Sequence, residues 1–341
     1  MKNIILFLTV ICLFFTSHSY AQDPPSQSVG VARLTPEVRS AISKGLEYLA
    51  KDDLQKADGS WGGSQNRVAE TSLTLMAFML QGHVPGRGQY GRAMENAISF
   101  LLNQGQNQRG YLGTSKNHAG MYEHGLAVLA LSEAWGQSKN PRIKTALTRA
   151  VDVILRAQNR EGGWRYSPEP RDADLSMTVM QLVALNSASE AGIAVPQTTI
   201  DKAAEYVISC QDLSSGGFKY TPGGGEPNFA RTAAGVMSLI MCGQRDQKPT
   251  QRGIAFLKAF PESKFKSTNH FHYAHYYAVQ AMYQSGDADF RAWYPKISTE
   301  IVAKQNKNDG SWSGSYGQAY GTSLSILILG VPYRYLPIYQ R

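Results

Sequence analysis

The sequence predicts an all-α fold, a single (α/α)6 toroid of six helical hairpins over residues 35–341, and three observations predict it. First, a Gly-x-aromatic cluster recurs at Gly59-Ser60-Trp61, Gly162-Gly163-Trp164, Gly216-Gly217-Phe218 and Gly310-Ser311-Trp312, with a degenerate copy at Gly110-Tyr111-Leu112. Second, a glutamine precedes each cluster: Gln55, Gln106, Gln158, Gln211 and Gln305. Third, the segments flanking each cluster differ in kind. The one before has a single apolar face, and the one after is apolar nearly all round. A fixed period of this length is the signature of stacked supersecondary units.

Each unit follows from helix physics. In Ala146–Ala157, Leu147, Val151, Ile154 and Leu155 share one face, which marks a helix with one side in water. The glycine cluster then ends that helix. The following segments, Thr71–Leu80, Gly125–Ala134, Ser176–Ala188, Thr232–Cys242, Tyr273–Tyr283 and Gly321–Leu329, lack a polar face and read as buried helices. The units therefore stack as an outer ring around an inner ring. Positions 61, 112, 164 and 218 fall 51, 52 and 54 residues apart, and 218 to 312 is 94. A sixth copy without the cluster is expected between those two, over Thr250–Ser285. Six units suffice to close a ring, which hides the apolar ends that an open solenoid, the alternative, must cap.

The N-terminus carries a different signal. One cation (Lys2), a 12-residue apolar run from Ile4 to Phe15 and the sequence Ser19-Tyr20-Ala21 read as a signal peptide over residues 1–21, followed by a flexible segment, 22–34. The run is short of the ~20 residues that span a bilayer. No transmembrane segment is expected, and the mature protein is read as secreted or periplasmic. Removing Lys2 takes the formal charge from +8 to +7. That mild excess contains no basic block, so no nucleic-acid partner is expected. Only Cys210 and Cys242 remain. The topology puts them at opposite ends of a hairpin, ~20 Å apart along a helix, beyond disulfide reach. They are expected as free, buried thiols.

Topology also locates a candidate site. Every outer helix leads through its turn into an inner helix, so all six inner-helix N-termini open on one mouth. That end carries Glu70, Glu123 with His124, Asp172 with Asp174, Arg231, the cluster His270, His272 and His275, and Tyr320. Parallel helix N-termini favour carboxylates and anions there. Asp172, Asp174, Glu123 and His124 are the candidate catalytic residues, and Arg231, His272, His275, Tyr276 and Tyr320 the candidate ligand-binding ones. Each has a plainer role open to it. Asp is a common helix cap, first-turn Glu complements the helix dipole, and Arg231 can pair with the acids. His272 and His275 share a helix face at i,i+3 and could chelate zinc with a third ligand, although no cofactor is expected. Two weaker patterns carry nothing. Gly86 to Gly91 spells GxGxxG without a preceding strand. Gly310-Ser311-Trp312-Ser313-Gly314 has Trp where a nucleophile elbow has Ser.

Gln55 to Trp61 and Gln158 to Trp164 match the QxxxGxW repeat, and the chain resembles the terpenoid cyclase and protein prenyltransferase superfamily from Thr35 to about Ile338. Asp172-Ala173-Asp174-Leu175 lies where squalene–hopene-type cyclases carry an Asp-x-Asp-Asp motif, with Leu175 in place of the last Asp. The resemblance implies an apolar, isoprenoid-like ligand in a central cavity and an acid role for Asp174. With Leu175 there, the helix N-terminus and Arg231 are expected to outweigh burial and keep Asp174 ionised. Two other readings stand beside this one: a carbohydrate hydrolase or lyase using a carboxylate pair on the same fold, and a non-catalytic module binding a glycan or peptide at its mouth.

Overall fold

The computed structural model describes residues 34–63, 65–106, 109–114, 120–138 and 140–333. The expected signal peptide and nearly all of the segment after it lie outside the described residues. Among the described residues twelve α-helices form six hairpins, outer helix first: α1 (Pro36–Leu49) with α2 (Arg67–Leu80), α3 (Gly91–Gln106) with α4 (Gly120–Ser138), α5 (Pro141–Ala157) with α6 (Leu175–Glu190), α7 (Gln197–Ser209) with α8 (Phe229–Met241), α9 (Lys248–Lys258) with α10 (Phe271–Ser285), and α11 (Asp287–Ala303) with α12 (Gln318–Gly330). Among the described residues there is no strand, only isolated bridges in the turns. No described helix is long and apolar enough to cross a membrane.

The inner helices pack in the order α2, α4, α6, α8, α10, α12, and α12 returns to α2. The ring is closed. At the seam the Gln305 amide donates to Ala41 O at 2.8 Å, Thr74 and Ser323 share a buried hydroxyl contact at 3.0 Å, and Trp312 lies against Gly45, where a Cβ would meet the indole at 2.8 Å. Those inner helices are buried on nearly every face, as their composition requires.

The repeat is a set of hydrogen-bonded braces. The glutamine amide donates twice, to its own turn and to an early carbonyl of the next outer helix: Gln55 to Gly59 O and Ala93 O, Gln158 to Gly162 O and Thr199 O, Gln211 to Gly216 O and Pro249 O, Gln305 to Gly310 O and Ala41 O. The indoles of Trp61, Trp164 and Trp312 donate to Leu49 O, Ile154 O and Ile301 O, which satisfies last-turn carbonyls of the outer helices. The glycine at positive φ permits the closest approach. Gly162 (φ 93°) lies so near Lys202 O of α7 that a Cβ would sit 2.3 Å from it.

A threonine in four of the inner helices, α2, α6, α8 and α12, completes the pattern. Thr71, Thr178, Thr232 and Thr322 accept from the backbone N–H of Trp61, Trp164, Phe218 and Trp312. The fifth turn is a 3-10 helix, Glu262–Ser267, whose buried Phe265 takes the aromatic place, 47 residues from Phe218 and 47 from Trp312. Cys210 and Cys242 are unpaired as expected, but only Cys210 is fully buried.

Candidate functional site

The inner-helix N-termini gather at one mouth, and Asp174 is its most constrained polar residue. It is the N-cap of α6, with Oδ1 accepting from Met177 N at 3.0 Å. Its side chain has no exposure, and Oδ2 lies 3.2 Å from both the Tyr220 hydroxyl and Arg165 Nη1. A bridge between Trp164 and Asp174 sets Arg165 beside this carboxylate. Arg165 also reaches Asp172, an exposed side chain, at 3.4 Å. The guanidinium stacks over the Tyr166 and Tyr220 rings at 4.8 and 5.4 Å, and the two phenols share a hydroxyl contact at 2.6 Å. Burial raises the Asp174 pKa above the usual carboxylate value, against the Met177 N–H and Arg165, which lower it. The expected downward shift is corrected in direction: desolvation is the larger effect.

Arg231 is not the acids' ion-pair partner. Its Nη2 donates to Glu226 O, its guanidinium lies 5.9 Å from the Tyr220 ring, and its Nε is buried without a hydrogen-bond partner. Arg165, which sequence reasoning missed, holds that place. A recurring signal marks it: Trp164-Arg165-Tyr166 and Phe218-Lys219-Tyr220 repeat an aromatic–cation–tyrosine order. The two tyrosine carbonyls accept from Met121 N and Leu175 N, amides in the first turns of α4 and α6, so both tyrosines are fixed at the mouth.

Glu123 and His124 belong to the repeat architecture. Glu123 Oε2 accepts from Thr114 N and Thr114 Oγ1, as Glu70 accepts from Gly63 N in the first repeat. His124 stands at the brace threonine's position. Its Nδ1 accepts from Leu112 N at 3.0 Å and its Nε2 donates to Ala150 O at 3.1 Å, so both ring nitrogens are engaged. Burial lowers its pKa to about 4. His275 fills the same position in the fifth repeat. Its Nε2 donates to Phe265 O at 3.3 Å and its ring packs among Phe229, Phe265 and Phe271. That arrangement buries His275 in the core, with its Nδ1 without a hydrogen-bond partner. Among the described residues no three His, Cys, Asp or Glu side chains converge on one point.

Facing the axis at the mouth are Tyr122 of α4, Ser176 of α6, Tyr273 of α10 and Tyr320 of α12. Tyr122 and Tyr273, from opposite sides of the ring, both lie close to Ser176, and the Tyr273 hydroxyl is buried without a hydrogen-bond partner. Below them the Tyr277 hydroxyl reaches Met180 Sδ at 3.9 Å, and Tyr276 packs against Tyr277 in the core. At this level side chains of α4, α6 and α10 meet across the ring. Away from the mouth, an outer cleft of about 310 Å³ opens between α3 and α5, over Leu112 of the degenerate repeat.

Two concentric six-helix rings with all inner N-termini on one polar mouth define an α/α toroid protein. The chain belongs to the prenyltransferase α/α-toroid family, whose model matches residues 30–188 and 176–311. No curated protein matches the sequence. Several solved structures share its fold at low identity. An inactive variant of a Salegentibacter α-1,6-mannanase in complex with α-1,6-mannotriose superposes with TM-score 0.65 at 8% identity, over 87% of this chain and 99% of that one. A cellobiose 2-epimerase from Bacillus thermoamylovorans gives 0.60 at 12%, over 86% and 98%. A type II terpene cyclase variant from Scytonema in complex with merosterolic acid A also gives 0.60, at 15%, over 86% and 95%. Identities this low speak for the fold alone.

Proposed function

We infer that this chain is an exported carbohydrate-recognising toroid that takes a hydroxylated glycan over its mouth. The observation that carries the reading is Asp174, a buried carboxylate that orients two groups reaching the surface, Arg165 and Tyr220. A carboxylate held this way positions a ligand. It is less suited to protonate an alkene, because its oxygens are already engaged by an N–H, a guanidinium and a phenol. Aromatic rings with hydroxyls, paired charges and a serine suit sugar faces and sugar hydroxyls. An isoprenoid offers those hydroxyls no partner, and each would then be desolvated at a cost of ~1–3 kcal/mol. Both the mannanase and the epimerase place sugars on this fold, which makes the reading compatible with the architecture.

The test is Asp174→Asn, assayed against a panel of immobilised oligosaccharides and by melting. Asn still caps a helix, so stability should fall by only about 1 kcal/mol. Binding should drop at least about tenfold as Arg165 and Tyr220 lose their anchor. Unchanged binding in a folded variant would remove Asp174 from the site.

A further inference from the structure

Three cations in the turns of the third and fourth repeats have carboxylate partners. Arg165 pairs with Asp172 and Asp174, Arg171 with Glu169 at 2.8 Å, and Lys219 with Asp212 at 3.6 Å. Arg231, in the first turn of α8, has none among the described residues. Glu226 gives it only a backbone carbonyl, and the Glu226 side chain is exposed and makes no ion pair with it. Arg231 is nonetheless half-buried and held in place. Its backbone N–H donates to Asn228 Oδ1 at 2.9 Å, Nη2 donates to Glu226 O, and the guanidinium lies 5.9 Å from the centre of the Tyr220 ring. The Arg165 guanidinium lies 5.4 Å from the same ring. Nε of Arg231 is enclosed without an acceptor. Nη1 also makes no hydrogen bond among the described residues but is not enclosed, so that side of the guanidinium is open to a ligand.

Arginine cannot shed its proton to escape partial burial, as a lysine or histidine can. A guanidinium taken partly out of water therefore calls for a counter-charge. The nearby acids Asp172 and Asp174 are spent on Arg165, and the parallel inner-helix N-termini add positive potential at this end of the ring. What remains is a fixed positive charge beside Tyr220, whose hydroxyl Asp174 orients and which shares a contact with the Tyr166 hydroxyl. A planar guanidinium matches a planar carboxylate in shape as well as in sign. Resting on the glycan reading above, we propose that the mouth takes an acidic oligosaccharide, with Arg231 receiving the carboxylate of a uronate unit and the Tyr166–Tyr220 hydroxyl pair meeting the sugar hydroxyls beside it.

Calorimetric titration of the full mature chain with galacturonate, glucuronate and mannuronate trisaccharides, and with the methyl ester of each, tests this. Esterification removes the charge and keeps the sugar. The acid that binds wild type should do so at least about tenfold more tightly than its ester. Arg231→Gln should bring that acid down to the affinity of the ester and leave the ester unchanged. Arg231→Lys keeps the charge without the planar fork and should fall between. Melting curves check that both variants fold, and the acid–ester comparison on wild type needs no variant. Equal binding of acid and ester, or an Arg231→Gln loss as large on the ester as on the acid, would overturn the anchor while leaving a glycan site in place. Binding of neutral oligosaccharides alone would do the same. If no saccharide binds, acidic or neutral, the glycan reading itself fails, and the anchor falls with it.

Discussion

At the residue scale, one side-chain position serves two purposes in different repeats. The brace site of the inner helix holds Thr71, Thr178, Thr232 and Thr322, but His124 and His275 in the second and fifth repeats. Those are the repeats whose turns lack the Gly-x-aromatic pattern in full. The longer imidazole reaches where the turn is shaped differently. Being buried has a thermodynamic consequence. His124, His272 and His275 are each lowered by burial to about 4, whereas an unfolded histidine titrates near 6.5. Below pH 6.5 the unfolded chain therefore binds protons that the folded chain refuses. Stability is complete above 6.5 and lost as pH falls towards 4, at up to about 4 kcal/mol per pH unit if the three titrate together. Asp174 and Glu70, raised mainly by burial, act the other way and offset part of the loss. The melting temperature should fall steadily between pH 7 and pH 4.5. A flat or rising profile would show that these imidazoles are not buried neutral. Asp174 was legible as a cap from its place before an apolar run. Arg165 was not, because its pairing depends on an isolated bridge between Trp164 and Asp174 across the turn, which no periodicity reveals.

At the element scale, the turn and its glutamine join neighbouring hairpins, and among the described residues Gln106 of the second repeat makes no such join. Gln158 links Gly162 O with Thr199 O of α7, while among the described residues the Gln106 amide reaches only Asn103 in its own helix. Leu112 replaces the indole there, and the cleft between α3 and α5 lies over it. Gln158→Ala should cost about 1–2 kcal/mol for two lost hydrogen bonds, and Gln106→Ala close to nothing. Urea melts of the two variants check this, and equal losses would contradict the bracing role. Element types were readable from sequence because the outer and inner helices differ in how much of their circumference is apolar. Phe265 was hidden because its turn is a 3-10 helix with no glycine, so the cluster that marks the others is missing, and its spacing of 47 is shorter than the 51 to 54 of the others.

At the scale of the molecule, closure converts six similar hairpins into one object with two unlike ends. The seam between α12 and α2 uses the same glutamine brace as the internal joints, with Gln305 reaching Ala41 O. The ring was predictable from the number of repeats. The filling of its axis was not, since which side chains cross the centre depends on inner-helix rotation, which a helix apolar on all sides leaves unmarked. The central claim is that ligand binds over the polar mouth and not in the outer cleft. Backbone hydrogen exchange of the whole chain, with and without the tightest-binding oligosaccharide, tests it most directly. Slower exchange should appear at residues 164–176, 218–231 and 314–321, with the helices around Leu102, Ala146 and Arg149 unchanged. Protection at that outer cleft, with none at the mouth, would contradict the account.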